Sequence, residues 1–288
     1  MGIDQNDSGQ GSGRNFWGRI FIGILIAFVG LIMYMSHVQE NPVTGEKQHI
    51  TLTPEQEIRL GLQSAPEMAQ QMGGEVPSSD PRAQEVQKIG ALLVANTEAK
   101  KSPWKFQFHL LSDQNTVNAF ALPGGQVFIT LGLLDKLQTE AQLAGVLSHE
   151  MGHVIERHSA QQMAKSEFGQ MLIVAVGTAA SSSTDSNDPL VLASLVNQMI
   201  QLKYSRHDES QADQWGLRLM NEVGYDPRAM IQVMEILKAA GGSGHSIEMF
   251  QTHPNPDLRI RQIKAYLEKN PPSPNAKQGR NLKDVYGQ

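Results

Sequence analysis

Apolar residues run along this chain in three rhythms. The first is unbroken: "FWGRIFIGILIAFVGLIMYM", Phe16 to Met35, carries one charge, Arg19. About 20 apolar residues cross a bilayer as a helix, so the run predicts a transmembrane anchor over residues 16–38. Arg19 lies near one end and can extend its head group to water. Phe16, Trp17 and Tyr34 fall at interfacial depths. A cleaved signal peptide would show a shorter apolar core and a small-x-small site. "SHVQENP", which follows Met35, has no Ala-x-Ala pattern and no lipid-accepting Cys, so the span reads as uncleaved.

The second rhythm is helical. "TPEQEIRLGLQSAPEMAQQM" opens on Thr53 as N-cap with Pro54 in the first turn. "DPRAQEVQKIGALLVANTEA" repeats the device with Asp80 and Pro81, and Val86, Ile89 and Leu93 recur at helical spacing. Thr139 with Gln142 forms a capping-box pattern ahead of another helix. The third rhythm alternates. Trp104, Phe106, Phe108 and Leu110 predict a half-buried strand. "TVNAFALPGGQVFIT" predicts two short strands around a Pro123-Gly124-Gly125 turn, with a short helix, "GLLDKL", after it.

No internal repeat is visible. Residues 1–15, rich in Gly, Ser, Asn, Asp and Gln, read as a disordered tail. "NPPSPNAKQGRNLKDVYGQ" reads in the same way, so residues 271–288 are expected to form a flexible tail. Residues 50–270 are expected to form one α+β domain, mostly helical, with a small edge-strand sheet. "MLIVAVGTAA", Met171 to Ala180, is apolar but about half as long as a span. It reads as a core helix over its neighbours, with a membrane-dipping lid as the other reading. "SSSTDSNDP" after it reads as a mobile loop able to gate a cleft.

Composition sharpens this picture at three points. With 40% hydrophobic and 18% charged residues the balance is globular, not disordered. A net charge of −5 gives no footprint for nucleic acid. The chain has no cysteine, which excludes disulfides and thiolate ligands; any metal must sit on His, Asp and Glu. Charge also orients the span. Arg14 and Arg19 precede it and Glu40 and Glu46 follow it. The positive-inside rule then leaves the N-terminus in the cytoplasm and about 250 residues across the membrane. In a Gram-negative cell this is the periplasmic side of the inner membrane.

"LSHEMGHVIERH", Leu147 to His158, carries the chemistry. A helix turns about 100° per residue. His149 and His153, four apart, share one face and can bind one ion, and Glu150 stands one step round. H-E-x-x-H is the pattern in which two histidines hold Zn²⁺ and the glutamate is general base. His158 lies about 180° from His149 on a straight helix, so it is not the third ligand. Glu156 is expected to stand behind the ligands or face water. A catalytic zinc takes three protein ligands and leaves a fourth position open. The continuation H-x-x-G-x-x-H is absent, since Glu156 and Ser159 stand at those places. "YSRHDESQADQWGLRLM" is the best source of the missing ligand. Glu209 could ligate, and Asp213, four residues on, could hold the far nitrogen of a ligating histidine. His207 and Asp208 compete as ligands, and helical period does not exclude them.

Four ordered blocks together resemble the zinc metallopeptidase family that includes the CAAX prenyl protease, heat-shock HtpX and mitochondrial Oma types (peptidase family M48, gluzincins). They are "NAFALPGGQVFITLGLL", "LSHEMGHVIERHSA", "YSRHDESQADQWG" and "THPNPDLRI". The resemblance implies a gluzincin-type domain behind one N-terminal membrane helix, in the single-span, Oma-like branch. It implies one Zn²⁺ per chain on His149, His153 and Glu209, with Glu150 as general base. It gives Asp213 a place behind the ligands, His253 a part in stabilising the transition state or aligning substrate, and Arg259 a supporting role. The block from Asn118 to Leu134 looks like the family's substrate-side edge strand, so Asn118, Ala119, Phe120 and Ala121 are expected to pair with an extended peptide. The function expected is a membrane-anchored zinc metalloendopeptidase in protein quality control, acting on misfolded envelope or membrane proteins. Two other classes are weighed against it. A zinc-stabilised chaperone or adaptor would have no use for Glu150. A small-molecule esterase or amidase would have no use for the edge strand.

Overall fold

The computed structural model describes residues 11–166, 203–241 and 249–287. The expected helix at Met171–Ala180, the loop after it and the first ten residues lie outside the described residues. Helix α1 spans Gly11–Ser36 and so begins inside the expected N-terminal tail. Its stretch Trp17–Ser36, 20 residues with mean hydropathy 2.1, is long and apolar enough to cross a membrane. Trp17, Phe21, Ile24 and Phe28 are all exposed on it.

Strand β1, Val38–Glu40, follows after a single residue and pairs antiparallel with β2, Lys47–His49. The Tyr34 ring at the end of α1 stacks on His49 at 4.9 Å. Helix α2, Pro54–Gln71, has the Thr53 cap expected of it, completed by Gln56 into a full capping box. Helix α3, Pro81–Asn96, is capped by Asp80 and buries Val86, Ile89 and Leu93. Strands β3 (Gln107–Leu111), β4 (Ala119–Leu122) and β5 (Gln126–Thr130) form one sheet in the order β3-β5-β4. Phe108 and Leu110 bury one face of β3, as alternation predicts, while Trp104 is buried just ahead of it. β4 is an edge strand, joined to β5 through Pro123-Gly124-Gly125. Gly124 has φ 80°, and a Cβ there would lie 2.3 Å from the Ile58 Cα of α2. The turn therefore needs glycine both for its backbone angle and for close approach.

The short helix α4, Leu131–Leu134, leads to α5, Glu140–Ile155, which is buried along its whole length. Thr139 caps α5 by accepting from the Gln142 amide. The expected return bond is not made: the Gln142 side chain accepts from Gln138 N–H and donates to Gln232. Residues 158–166 are helical again. Helix α6, Arg206–Glu222, lies against α5. A Cβ on Gly152 would sit 2.9 Å from the Ala212 Cα, so glycine lets the two backbones touch. Helices α7 (Ala229–Gly241), α8 (Met249–Thr252), α9 (Pro256–Lys269) and α10 (Leu282–Tyr286) complete the fold.

The C-terminal end of α5 is clamped by the β1–β2 hairpin. Asn41 Nδ2 donates to Ile155 O at 2.8 Å and Gln48 Nε2 to Glu156 O at 3.0 Å. These bonds satisfy carbonyls that a helix end leaves open. Arg157 follows with φ 59°, a left-handed angle uncommon outside glycine. Its buried guanidinium pairs with Glu57 at 2.6 Å and donates to Leu52 O at 2.8 Å. Burial pushes the Glu57 carboxyl up to about 7 against the pull of Arg157.

Residues 271–287 differ from the expected free tail: though largely exposed, they are tied to the domain at several points. Lys277 bridges to Tyr225 and Asn281 to Thr139. Leu282 is fully buried, and Arg280 binds Glu140 at 2.6 Å and Glu85 at 3.0 Å. Polar, Pro-rich composition concealed this because the partners are distant in sequence.

Candidate active site

Helices α5 and α6 meet around His149, His153 and Glu209. The i, i+4 spacing brings the two Nε2 atoms to 3.1 Å. Glu209 lies 3.6 Å from each, through Oε2 to His149 and Oε1 to His153. With bonds of 2.0–2.2 Å, ligands of a tetrahedral zinc stand about 3.3–3.6 Å apart. The three atoms therefore outline the base of such a site. All three residues are buried, and His253 joins them in one group of possible ligand atoms within 4.8 Å of one another. The two ring nitrogens and the carboxylate point at one another in a buried pocket, where together they could hold a metal ion. The donor set fits a small divalent ion that takes N and O ligands.

The far nitrogens are also held. His149 Nδ1 lies 3.0 Å from Asp213 Oδ1. His153 Nδ1 lies 2.9 Å from Nδ1 of His158. Arg259, on α9, grips Asp213 with two bonds, 2.6 and 2.8 Å, and reaches Glu209 Oε2 at 2.9 Å. Burial works against the Asp213 carboxylate, but the Arg259 guanidinium outweighs it and holds the group well below the usual range. Glu209 is likewise lowered, with His253 and Arg259 overcoming its burial. Burial, reinforced by the neighbouring His149, keeps the His153 ring far below the ordinary histidine value. Burial pushes His158 down to about 4.

Glu150 is wholly buried, and neither of its oxygens has a hydrogen-bond partner among the described residues. Burial raises its carboxyl above the ordinary range despite His253 and His149 nearby. A buried carboxyl group without a protein partner is costly, and both its oxygens are available to a substrate or a water. His253 stands across from it, its Nε2 3.7 Å from Glu150 Oε1 and its Nδ1 2.9 Å from Glu209 Oε1. Burial would lower the His253 pKa, but the two carboxylates more than offset it and the net direction is up. Its position comes from α8 and the turn before α9, where Asn255 takes φ 64°.

The sequence-predicted residues sort themselves by geometry. His207 is exposed, away from the imidazoles. Asp208 closes a capping box with Ser205 at the start of α6. Glu209, one residue on, faces inward. Glu156 lies apart from the His149–His153–Glu209 cluster; it is largely buried at the wall of a surface cleft and accepts a bond from Trp215 Nε1. Among the described residues β4 is the outermost strand of its sheet, and the ladder bond from Thr130 N–H to Asn118 O sets its phase. By alternation, Ala119 and Ala121 turn their backbone groups outward while Asn118 and Phe120 turn theirs to β5. Sequence reasoning gave no role to Tyr204, whose ring stacks on His153 at 3.9 Å. It also missed Gln211, which bonds His158 at 3.1 Å, and the Glu57–Arg157 pair. A helical period does not reach across a left-handed residue or between separate helices.

A buried H-E-x-x-H helix, joined by a carboxylate from a second helix and flanked by the outermost strand of a small sheet, defines a metallopeptidase. The comparisons agree. Residues 80–267 match Peptidase family M48. The chain is 32% identical to a mitochondrial metalloendopeptidase OMA1 of Schizosaccharomyces pombe, over 92% of this chain and 74% of the relative. It is 29% identical to the mitochondrial metalloendopeptidase OMA1 of Danio rerio, over 88% of this chain and 55% of that protein. It is also 29% identical to the beta-barrel assembly-enhancing protease of Escherichia coli, over 76% of this chain and 45% of that protein. The chain thus spans about half the length of these last two relatives. It belongs to peptidase family M48 and is a metalloendopeptidase.

Proposed function

We propose that this protein is a zinc endopeptidase, held in a membrane by α1, that cuts misfolded proteins of that membrane or of the surrounding envelope. The observation that carries the reading is the convergence of His149 Nε2, His153 Nε2 and Glu209 within 3.1–3.6 Å, beside a buried, unbonded Glu150. One Zn²⁺ per chain is assigned to those three residues. Its chemistry there is Lewis-acid activation of water and of the scissile carbonyl. Glu150 accepts the proton of the attacking water and returns it to the leaving amine. His253, with its Nε2 on the Glu150 side, faces the reacting carbonyl and supports the developing negative charge. Asp213 and Arg259 fix His149 and Glu209 from behind. An extended substrate adds to β4 through the outward groups of Ala119 and Ala121 and so lies beside the zinc helix.

The relatives' names, a mitochondrial endopeptidase and a protease that enhances β-barrel assembly, support protein substrates and a quality-control role. The apolar α1 supports a single-pass anchor, with Arg14 and Arg19 on the cytoplasmic side. The test is Glu150→Gln. Metal content should stay near one ion per chain while hydrolysis of a casein-type substrate falls by at least about 10²-fold. A comparison of newly formed protein termini in membranes carrying either form then identifies the substrates. Retained proteolysis in the variant would refute the assignment.

A further inference from the structure

His158 is five residues beyond His153, and a continuous helix would turn it about 140° away. It is nonetheless 2.9 Å from the His153 ring. The cause is Arg157. At φ 59° it reverses the chain at the end of α5, so the helical segment 158–166 starts by pointing His158 back at the site. A non-glycine residue in this region is strained. The angle is held by the buried pair with Glu57 and the bond to Leu52 O. Strain maintained in this way calls for a use, and the ring after it has one.

We infer that His158 and Gln211 are positioning residues that fix which nitrogen of His153 is free to bind metal. His158 Nε2–H donates to Gln211 Oε1 at 3.1 Å. The Nδ1 of His158 is then a lone pair and accepts the Nδ1–H of His153. That leaves Nε2 of His153 unprotonated, facing His149 and Glu209. Turning the Gln211 amide over reverses every step: its NH₂ would donate, His158 would carry its proton on Nδ1, and His153 would be protonated where the ion should sit. His149 gets the same service from a carboxylate, Asp213. His153 gets it from a neutral relay, and its ring is further confined by Tyr204 stacked 3.9 Å away. The relay ends at Gln211, on the wall of a polar surface cleft shared with Glu156, Trp215 and Arg218.

This inference rests on the proposed ligand role of His153, and the experiment separates the two. Zinc affinity is measured by chelator competition on the full chain in detergent, for the unsubstituted protein, His158→Phe and His158→Asn. Phe keeps a ring and cannot accept; Asn Oδ1 stands near the lost Nδ1 and can. His158→Phe should bind zinc about 10–100-fold more weakly, and His158→Asn should recover most of the loss. Equal affinity in all three proteins, or equal loss in both variants, overturns the relay. An unsubstituted chain that binds no zinc overturns the metal reading itself and the relay with it. Should His158→Phe not fold, the unsubstituted zinc-loaded protein with ¹⁵N-labelled histidines decides by NMR. Protons on His153 Nδ1 and His158 Nε2 support the relay, and a proton on His158 Nδ1 refutes it.

Discussion

One backbone angle, at Arg157, separates what the sequence says about His158 from what the fold does with it. Periodicity on a straight helix turns His158 away from His149 and His153, and so sends its ring away from the site, whereas the fold brings it back against His153. No residue type announces a left-handed arginine, because its angle is imposed by Glu57, 100 positions earlier in the chain. Where the helix is regular, the residues were legible: His149, Glu150 and His153 lie as their spacing requires. The choice among His207, Asp208 and Glu209 was not legible from period alone. It is decided by where α6 begins, since Ser205 takes Asp208 as its capping partner. Two residue-level outcomes follow. Glu209→Ala should lose most of the bound metal by elemental analysis, and the exposed His207→Ala should lose none; equal loss would break the assignment. His253→Ala should keep metal and fold while kcat falls on the order of 10²-fold with KM changed less. Loss of zinc with the ring would instead make His253 a ligand.

Among the elements, those with strong local signals were legible: capped helices α2 and α3, and the β4–β5 hairpin with its glycine turn. The segment 271–287 was not, since its order comes from Arg280, Leu282 and bridges to distant residues. The β1–β2 hairpin was missed for the same reason. Each strand has three residues, too short for a pattern, and its stability comes from the end of α5. Asn41 offers a clean test of that clamp. Its Oδ1 accepts from Val43 and Thr44 and shapes the turn, while its Nδ2 serves Ile155 O. Asn41→Asp keeps the turn and loses only the donor, placing an acceptor and a charge against a helix C-terminus. It should destabilise the domain in chemical denaturation by about 1–3 kcal/mol, and more than Asn41→Ala. A neutral Asn41→Asp would show that the clamp contributes nothing.

Over the whole molecule, fold class and chemistry were readable because the catalytic motif and the apolar run are both local in sequence. Their connection was not, because it runs through side chains. The orientation has a direct check. A reporter that works only in an oxidising compartment, fused after Gln288, should be active, and a cytoplasmic reporter at the same place silent; the reverse would invert the topology. Whatever that result, the join between anchor and enzyme has a mechanical character. Only His37 separates α1 from β1, the Tyr34 and His49 rings stack across the junction, and the hairpin grips the last carbonyls of α5. A flexible leash would let the domain swing freely. This joint is short and bonded on both sides, so the hairpin is a direct structural link between α1 and the end of α5. With α1 in a membrane, as proposed, a change in its tilt such as a thinner bilayer imposes would meet the helix that carries both histidines through this hairpin and not through a loose linker.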